Sequence, residues 1–307
     1  MIANFFNKSK PANIFNILIL LFLYYLTATF FTDNYEFSFN FLFDKIIILL
    51  CLLLFVLIIN FIIKKNSLTQ DNSYAVLLIV FLLGTFFETM FDNRIVFANI
   101  GLLLGFRKIY SLRSGINTKQ KLFDAGFWIG ISTIIYSWSI LYILLIYVGI
   151  VVFRKLSLKN ILIPIIGVLT PVFIYFSYHF YFDTFEIFYN KFNIEYSFIF
   201  NLYNQKKLLI PLVFLVVSLL ASTIILTPKI VLVSNKLKFL WSVLLNHLLI
   251  STVVVVMSPV KSGSEMLFLL FPAAIIITNL LQKSQSSIFK NLILYLFLII
   301  SIGVYML

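Results

Sequence analysis

Cysteine, histidine and charge are all scarce in this chain, and each scarcity closes off a class of function. One cysteine (Cys51) and two histidines (His179, His247) stand among 307 residues. No disulfide framework and no zinc site of Cys/His spacing can be built from them. Cys51 sits within an apolar run and reads as a thiol buried at lipid depth. Charged residues make up 11% of the chain, against roughly a quarter in soluble proteins. No stretch of about 60 residues joins ordinary charge to an amphipathic pattern, so no soluble domain is expected. A glycine-rich phosphate loop and a nucleophile elbow are both missing, which removes the soluble kinase and hydrolase classes.

Long apolar runs are what the chain has in abundance: 62% of residues are apolar and 18% aromatic. One crossing of a hydrocarbon core takes roughly 20 residues. The runs divide into eleven candidate spans at about 13–31, 45–63, 74–90, 95–110, 122–136, 138–153, 160–179, 208–227, 238–257, 266–281 and 289–306. The pair around 122–153 is split at Tyr136-Ser137-Trp138-Ser139. Each run is continuously apolar instead of alternating, and lipid-facing backbone must be satisfied within its own segment, so helices are the expected form. The fold class is therefore all-α integral membrane, with about 11 transmembrane helices in a single polytopic transmembrane domain over 1–307. Spans four to six are short and read as tilted or partly re-entrant. Six prolines, Pro164, Pro171, Pro211, Pro228, Pro259 and Pro272, mark ends or kinks of the later spans.

The net charge of +12 raises the question of nucleic acid, and its distribution answers it. With the N-terminus inside, 17 of the 23 basic residues fall in cytoplasmic segments, while nine of the 11 acids fall outside. Every inside loop carries at least two basic residues, as the positive-inside rule requires. The excess thus sets topology and meets anionic inner-leaflet lipid, and no nucleic-acid partner is expected. This arrangement puts the N-terminus in the cytoplasm and the C-terminus in the periplasm of a bacterial inner membrane. Lys8 and Lys10 precede the first span without a small-residue cleavage site after it, so an uncleaved first span is expected.

Candidate site residues are the acids and bases of the outer loops. Asp33 and Glu36, three apart, would share a helical face and could ligate one divalent metal or stand beside an acceptor hydroxyl; a solvated turn is the plainer reading. Glu88 and Asp92, four apart with Arg94 beside them, lie at the lipid boundary. There a desolvated acid and a guanidinium pair with each other, hold a metal or meet a phosphate. Lys261 and Glu265, four apart among Ser262, Gly263 and Ser264, either grip a phosphate or pair together. The segment 178–207 is aromatic-rich and reads as periplasmic or interfacial, opening with His179. His247 lies at mid-span and requires an interhelical partner. Gly126 and Gly130 share a helical face on which another helix can approach.

Two resemblances follow from particular residues. Asp124-Ala125-Gly126-Phe127-Trp128-Ile129-Gly130, just past a basic loop, resembles the small-residue helix of GT-C-type glycosyltransferases. Lys261 followed by Glu265 through Pro272 is similar to a segment that family places near its lipid phosphate, with Glu and Met where Arg and Tyr are usual. The chain as a whole, opening Phe5-Phe6-Asn7-Lys8-Ser9-Lys10-Pro11, resembles an integral-membrane family of Bacteroidota to which no activity is attached. The first likeness implies a GT-C-like bundle handling a polyprenyl-phosphate-linked sugar or related lipid. It implies Asp33, Glu36, Glu88 and Asp92 as catalytic candidates, and Arg94, His179, Lys261 and Glu265 toward the lipid phosphate. The alternative is a non-catalytic scaffold or assembly subunit of an envelope complex, held by a membrane-protein partner. A transporter ranks third, since repeats and intramembrane acids are missing.

Overall fold

Lipid offers the backbone no hydrogen-bond partner, so apolar runs of this length satisfy their amides within themselves. The computed structural model describes residues 2–32, 39–192, 194–233 and 235–307. Its helices, in chain order, are α1 (Ile2–Phe6), α2 (Pro11–Thr32), α3 (Phe39–Asn66), α4 (Tyr74–Thr85), α5 (Asn93–Ser111), α6 (Thr118–Ile135), α7 (Ile143–Val152), α8 (Leu158–Tyr181), α9 (Phe185–Lys191), α10 (Lys206–Val233), α11 (Asn235–Met257), α12 (Leu267–Lys283) and α13 (Ser287–Gly303). No strand occurs among the described residues.

Eleven of these helices fall on the eleven expected spans, α1 and α9 being the additions. Among the described residues, eight are long and apolar enough to cross a membrane: α2, α3, α5, α8, α10, α11, α12 and α13. The protein is a multi-pass membrane protein. Of the other three, α6 has the length but opens with Lys119, Lys121 and Asp124. The expected shortness of spans four to six needs correction, because α5 runs 19 residues. The short helices are α4, with 12 residues, and α7, with 10. In the first case the chain leaves the helix at Phe86 for a 3-10 turn, Phe87–Met90. In the second, Tyr136 is extended and Ser137–Tyr142 forms a 3-10 turn ahead of the α-helix, at the polar cluster where the sequence divides.

The helices group into two units interleaved in sequence: Met1–Asn93, Ile199–Val233 and Lys261–Leu307 form the first, Arg94–Phe198 and Ser234–Val260 the second. In the first unit α4 is the hub. All 12 of its residues are buried, against α2, α3, α12 and α13. A Cβ at Gly84 would lie 2.8 Å from the Tyr24 ring, so the lack of a side chain there is what lets α2 close on α4. Helix α12 packs between α4 and α10, and 94% of its span is buried, against 28% for α10 and for α13. Continuously apolar sequence therefore has two origins here, core on α4 and α12 and lipid-facing surface on α10 and α13. At one end of this unit α1 is tied in by backbone groups. The Tyr74 hydroxyl donates to the Ala3 carbonyl at 2.7 Å, and the Ala3 N–H donates to Asn291 Oδ1 at 2.9 Å.

The second unit is organised by α6 against α8. A Cβ on Gly130 would meet the Val168 carbonyl at 2.6 Å, and one on Gly167 the Phe123 carbonyl at 2.5 Å. In lipid, where apolar side chains gain nothing by leaving solvent, close contact through small residues is what holds helices together. Prolines 164, 171, 211, 228 and 272 lie inside α8, α10 and α12 instead of at their ends. Two pairs of deep polar groups in this unit are matched across helices: Tyr110 with His247 Nδ1 and Tyr142 with Ser251 Oγ, both at 2.9 Å. The aromatic segment is stapled to the 3-10 turn, with Trp138 Nε1 donating to the Glu195 carbonyl at 2.8 Å.

Candidate functional site

At the other end of the first unit, three chain segments converge on one charged cluster. The buried α4 cannot carry an acid along its length, so Glu88 enters only where the helix has ended, on the 3-10 turn beyond it. That turn packs against a second 3-10 turn, Ser264–Met266, which leads into α12. A third, Asn201–Asn204, leads into α10. The cluster thus forms at helix mouths, where a charge is not held at full lipid depth.

Glu265 lies at the centre, fully buried. Its two oxygens accept from the Tyr203 hydroxyl at 2.7 Å and from the Gly263 N–H at 2.9 Å. Sitting at the start of α12, it is also favoured by the positive end of the helix dipole. Burial, followed by the Glu265 and Glu88 charges, pushes the Tyr203 phenol well above its ordinary range, so it stays a hydrogen donor. Gly263 adopts a φ of 96°, a conformation costly for any residue with a Cβ. Lys261 is buried, its ammonium 5.1 Å from the centre of the Phe200 ring. Burial holds the Lys261 amine below its usual range, and the nearby Glu265 partly offsets this.

Glu88 pairs with Lys207 at 3.0 Å, and the same ammonium lies 3.9 Å above the Phe87 ring. Only Oε1 of Glu88 is engaged by Lys207. Oε2 is buried without a hydrogen-bond partner and would lie 3.5 Å from a Cβ placed on Gly263. The Ser262 and Ser264 hydroxyls are 2.8 Å apart, and Ser264 Oγ donates to Asp92 Oδ2 at 3.5 Å. Phe87 stacks on Tyr305, with ring centres 5.2 Å apart. Tyr305 in turn lines an apolar slot of about 300 Å³ between α2 and the end of α13, bounded also by Leu23, Tyr24, Thr27, Leu298 and Ile302.

The sequence candidates divide accordingly. Glu88, Asp92, Lys261 and Glu265 come together in this cluster. Arg94 and His179 belong to the second unit. There Arg94 is exposed and adds to the burial that lowers the Lys191 amine. His179 is a buried packing residue, its Nδ1 2.6 Å from Thr184 Oγ1 and its ring edge-on to Tyr175. Asp33 and Glu36 lie outside the described residues. Two expectations need correcting. Glu88 takes Lys207 as its ion-pair partner, where the spacing pointed to Arg94. Glu88 and Asp92 are also not one α-helical turn apart, because the 3-10 turn ends at Met90 between them.

Lys207 and Tyr203 were missed by the sequence reading. A signal for Lys207 was available: Lys206 and Lys207 form a basic pair on the side where acids predominate, and such an exception asks for a dedicated acid. Nothing in the pattern singles out Tyr203 among 16 tyrosines. Among the described residues, no group of three or more His, Cys, Asp or Glu side chains could hold a metal ion.

No curated protein and no solved structure matches the chain. Residues 6–307, nearly the whole chain, match the model of a family described only as a family of unknown function, DUF6427. By that match the protein belongs to the DUF6427 family.

Proposed function

We propose that this protein handles a lipid carrying a phosphate-linked headgroup, with the headgroup at the Glu88–Lys207–Lys261 cluster and part of a chain in the slot between α2 and α13. A polyprenyl-phosphate-linked sugar, the substrate class implied by the likeness to GT-C enzymes, is the form we put first. The observation that carries this reading is one juxtaposition. Two lysines and two serine hydroxyls, suited to a phosphate, stand at the membrane end of the unit, joined through Phe87 and Tyr305 to an apolar slot. Amphiphiles need both halves, and here the two are neighbours.

In this reading the protein lies in a bacterial inner membrane with the N-terminus cytoplasmic, the cluster periplasmic and the eleven spanwise helices threaded as the positive-inside count requires. A single thiol tests the orientation. In a Cys51→Ala background, Asn201→Cys should react with a membrane-impermeant maleimide from the periplasmic side and Gln285→Cys should not. The opposite pattern reverses the map. The lipid reading is tested by native mass spectrometry of the purified protein after incubation with polyprenyl phosphate. Bound lipid should be retained by the unaltered chain and lost on Lys261→Met, and no retained lipid in either would overturn it.

A second reading, a non-catalytic subunit of an envelope complex, is favoured by the way Glu265 is consumed inside the fold, both oxygens bonded to its own chain. A stoichiometric membrane partner retained through purification supports it, and a solitary monodisperse protein counts against it.

A further inference from the structure

The C-terminal end of α8 carries an apolar groove built wholly within the second unit. The chain leaves α8 at Phe182 and turns back through Asp183, whose φ of 52° is left-handed, into α9. The turn is closed by the Thr184 N–H donating to the His179 carbonyl at 3.0 Å and by the contact of His179 Nδ1 with Thr184 Oγ1 at 2.6 Å. Phe188 then packs on Tyr175 and Phe176 of α8, with ring centres 5.8 and 5.3 Å away. The far end of α9 is held as well, the Lys191 carbonyl accepting from Ser137 Oγ at 3.1 Å. Along α9 lies a groove of about 250 Å³, open to the outside and lined by Val172, Phe188, Tyr189 and Phe192. That is room for part of one hydrocarbon chain, short of the roughly 300–1,000 Å³ that encloses a whole drug-sized ligand.

Two cations meet at the Phe192 end of this groove. Lys191 is three residues from Phe188 and next to Phe192. Arg94, at the start of α5, is close enough for its charge to add to the burial that lowers the Lys191 amine. Among the described residues, neither side chain forms an ion pair or a hydrogen bond. Asp183, Glu186 and Glu195 are all exposed, and none of them answers this pair. Like charges side by side repel, and an anion between them replaces that repulsion with two charge-assisted bonds. The rim says what kind of anion. Tyr181 and Tyr189 stand exposed around the groove, and tyrosines of membrane proteins collect at the level of the lipid headgroups. Cations and an apolar groove at that level match a phosphate with a hydrocarbon tail.

We propose that this groove holds one acyl chain of an anionic phospholipid, with the lipid phosphate bonded between Arg94 and Lys191. The site shares no residue with the Glu88–Lys207–Lys261 cluster and does not rest on the reading given to that cluster. Net negative charge is part of the recognition. A choline headgroup brings a cation of its own back among the two already there, and its quaternary ammonium has no N–H to offer in return.

The test is lipid retention by the purified full chain, read by native mass spectrometry after incubation with phosphatidylglycerol, phosphatidylcholine or oleate. Phosphatidylglycerol should be retained about tenfold more strongly than phosphatidylcholine, the scale of one hydrogen bond between charged groups. Arg94→Gln and Lys191→Gln should each lower phosphatidylglycerol retention severalfold, and Arg94→Lys, which keeps the charge, should lower it less than Arg94→Gln. Lys159→Gln removes a charge near the other end of α8, 20 residues from His179 and so about 30 Å away along the helix. It should leave the preference unchanged. Val172→Trp, which fills the groove, should weaken both phospholipids together. Thermal unfolding and gel filtration of each variant show that the fold is intact. Equal retention of the two phospholipids overturns the proposal, as does a preference that Arg94→Gln and Lys191→Gln leave unchanged or that Lys159→Gln removes equally well. Oleate retained more strongly than phosphatidylglycerol overturns the assignment to a phospholipid, and full retention by Val172→Trp overturns the placement of the chain.

Discussion

Replacing Tyr203 by Phe removes one oxygen atom and, with it, one of the two donors that satisfy Glu265. The magnitude follows from burial. Tyr203 is 6% exposed and Glu265 fully buried, so water has no easy route to the vacated position. A hydrogen bond to a charged group contributes about 1.5–3 kcal/mol net. In a cooperative unit of about 150–250 residues that corresponds to a fall in Tm of roughly 3–12 °C. Thermal unfolding in detergent measures it. A cycle with Glu265→Gln isolates the pair, and the double variant should be less destabilised than the two singles added together. An alkaline arm tests the same bond by its sign. The folded phenol ionises above the ordinary value of 10.0, so its contribution is fully present below pH 10 and declines as pH rises further, when the unfolded chain loses the proton first. The Lys261 amine, lowered by burial, works in the opposite direction below 10.5, but it is present in both proteins. The unaltered chain should therefore lose Tm more steeply above pH 10 than Tyr203→Phe does. A Tm change under 1 °C together with parallel alkaline curves would refute the claim that this bond holds the two helix mouths together.

Four further outcomes are expected. Gly130→Val should destabilise the second unit by about 1–3 kcal/mol through overpacking, because even its Cβ would meet the Val168 carbonyl at 2.6 Å. Gly303→Val, with nothing within 4 Å of that position, should leave Tm nearly unchanged in the same assay. Lys207→Met should cost no more than about 1 kcal/mol, since both partners are partly exposed, with side chains 32% and 21% accessible. High salt should shrink the difference between that variant and the unaltered chain. Gly263→Ala should lower Tm by an amount corresponding to about 1–2 kcal/mol, because the residue holds a left-handed φ of 96°.

Much of the helix inventory was legible beforehand because lipid imposes one solution on a continuously apolar run. The division at Tyr136-Ser137 was visible for the same reason, a polar cluster that no single crossing of that length could absorb. Helix length was less legible. The early termination of α4 at Phe86 falls within an apolar stretch that no proline interrupts, two residues before Glu88. At the candidate site, the acids and Lys261 stood out because a charge near lipid is costly and therefore rare. Their partners did not stand out. Lys207 lies 119 positions beyond Glu88, and Tyr203 lies 62 positions before Glu265.

Composition and charge asymmetry alone were enough to make this chain helical and repeatedly membrane-crossing, because backbone satisfaction in hydrocarbon and the cost of buried charge act locally, residue by residue. Which apolar helices became core and which stayed in lipid is a different matter. Helix α12 and helix α10 read alike in sequence, yet one is almost wholly buried and the other mostly exposed. Only packing between distant segments separates them, and the same packing chose Lys207 for Glu88, Tyr203 for Glu265 and an unpartnered oxygen beside Gly263. Such pairings are set by where helices end in space, a quantity no local rule supplies.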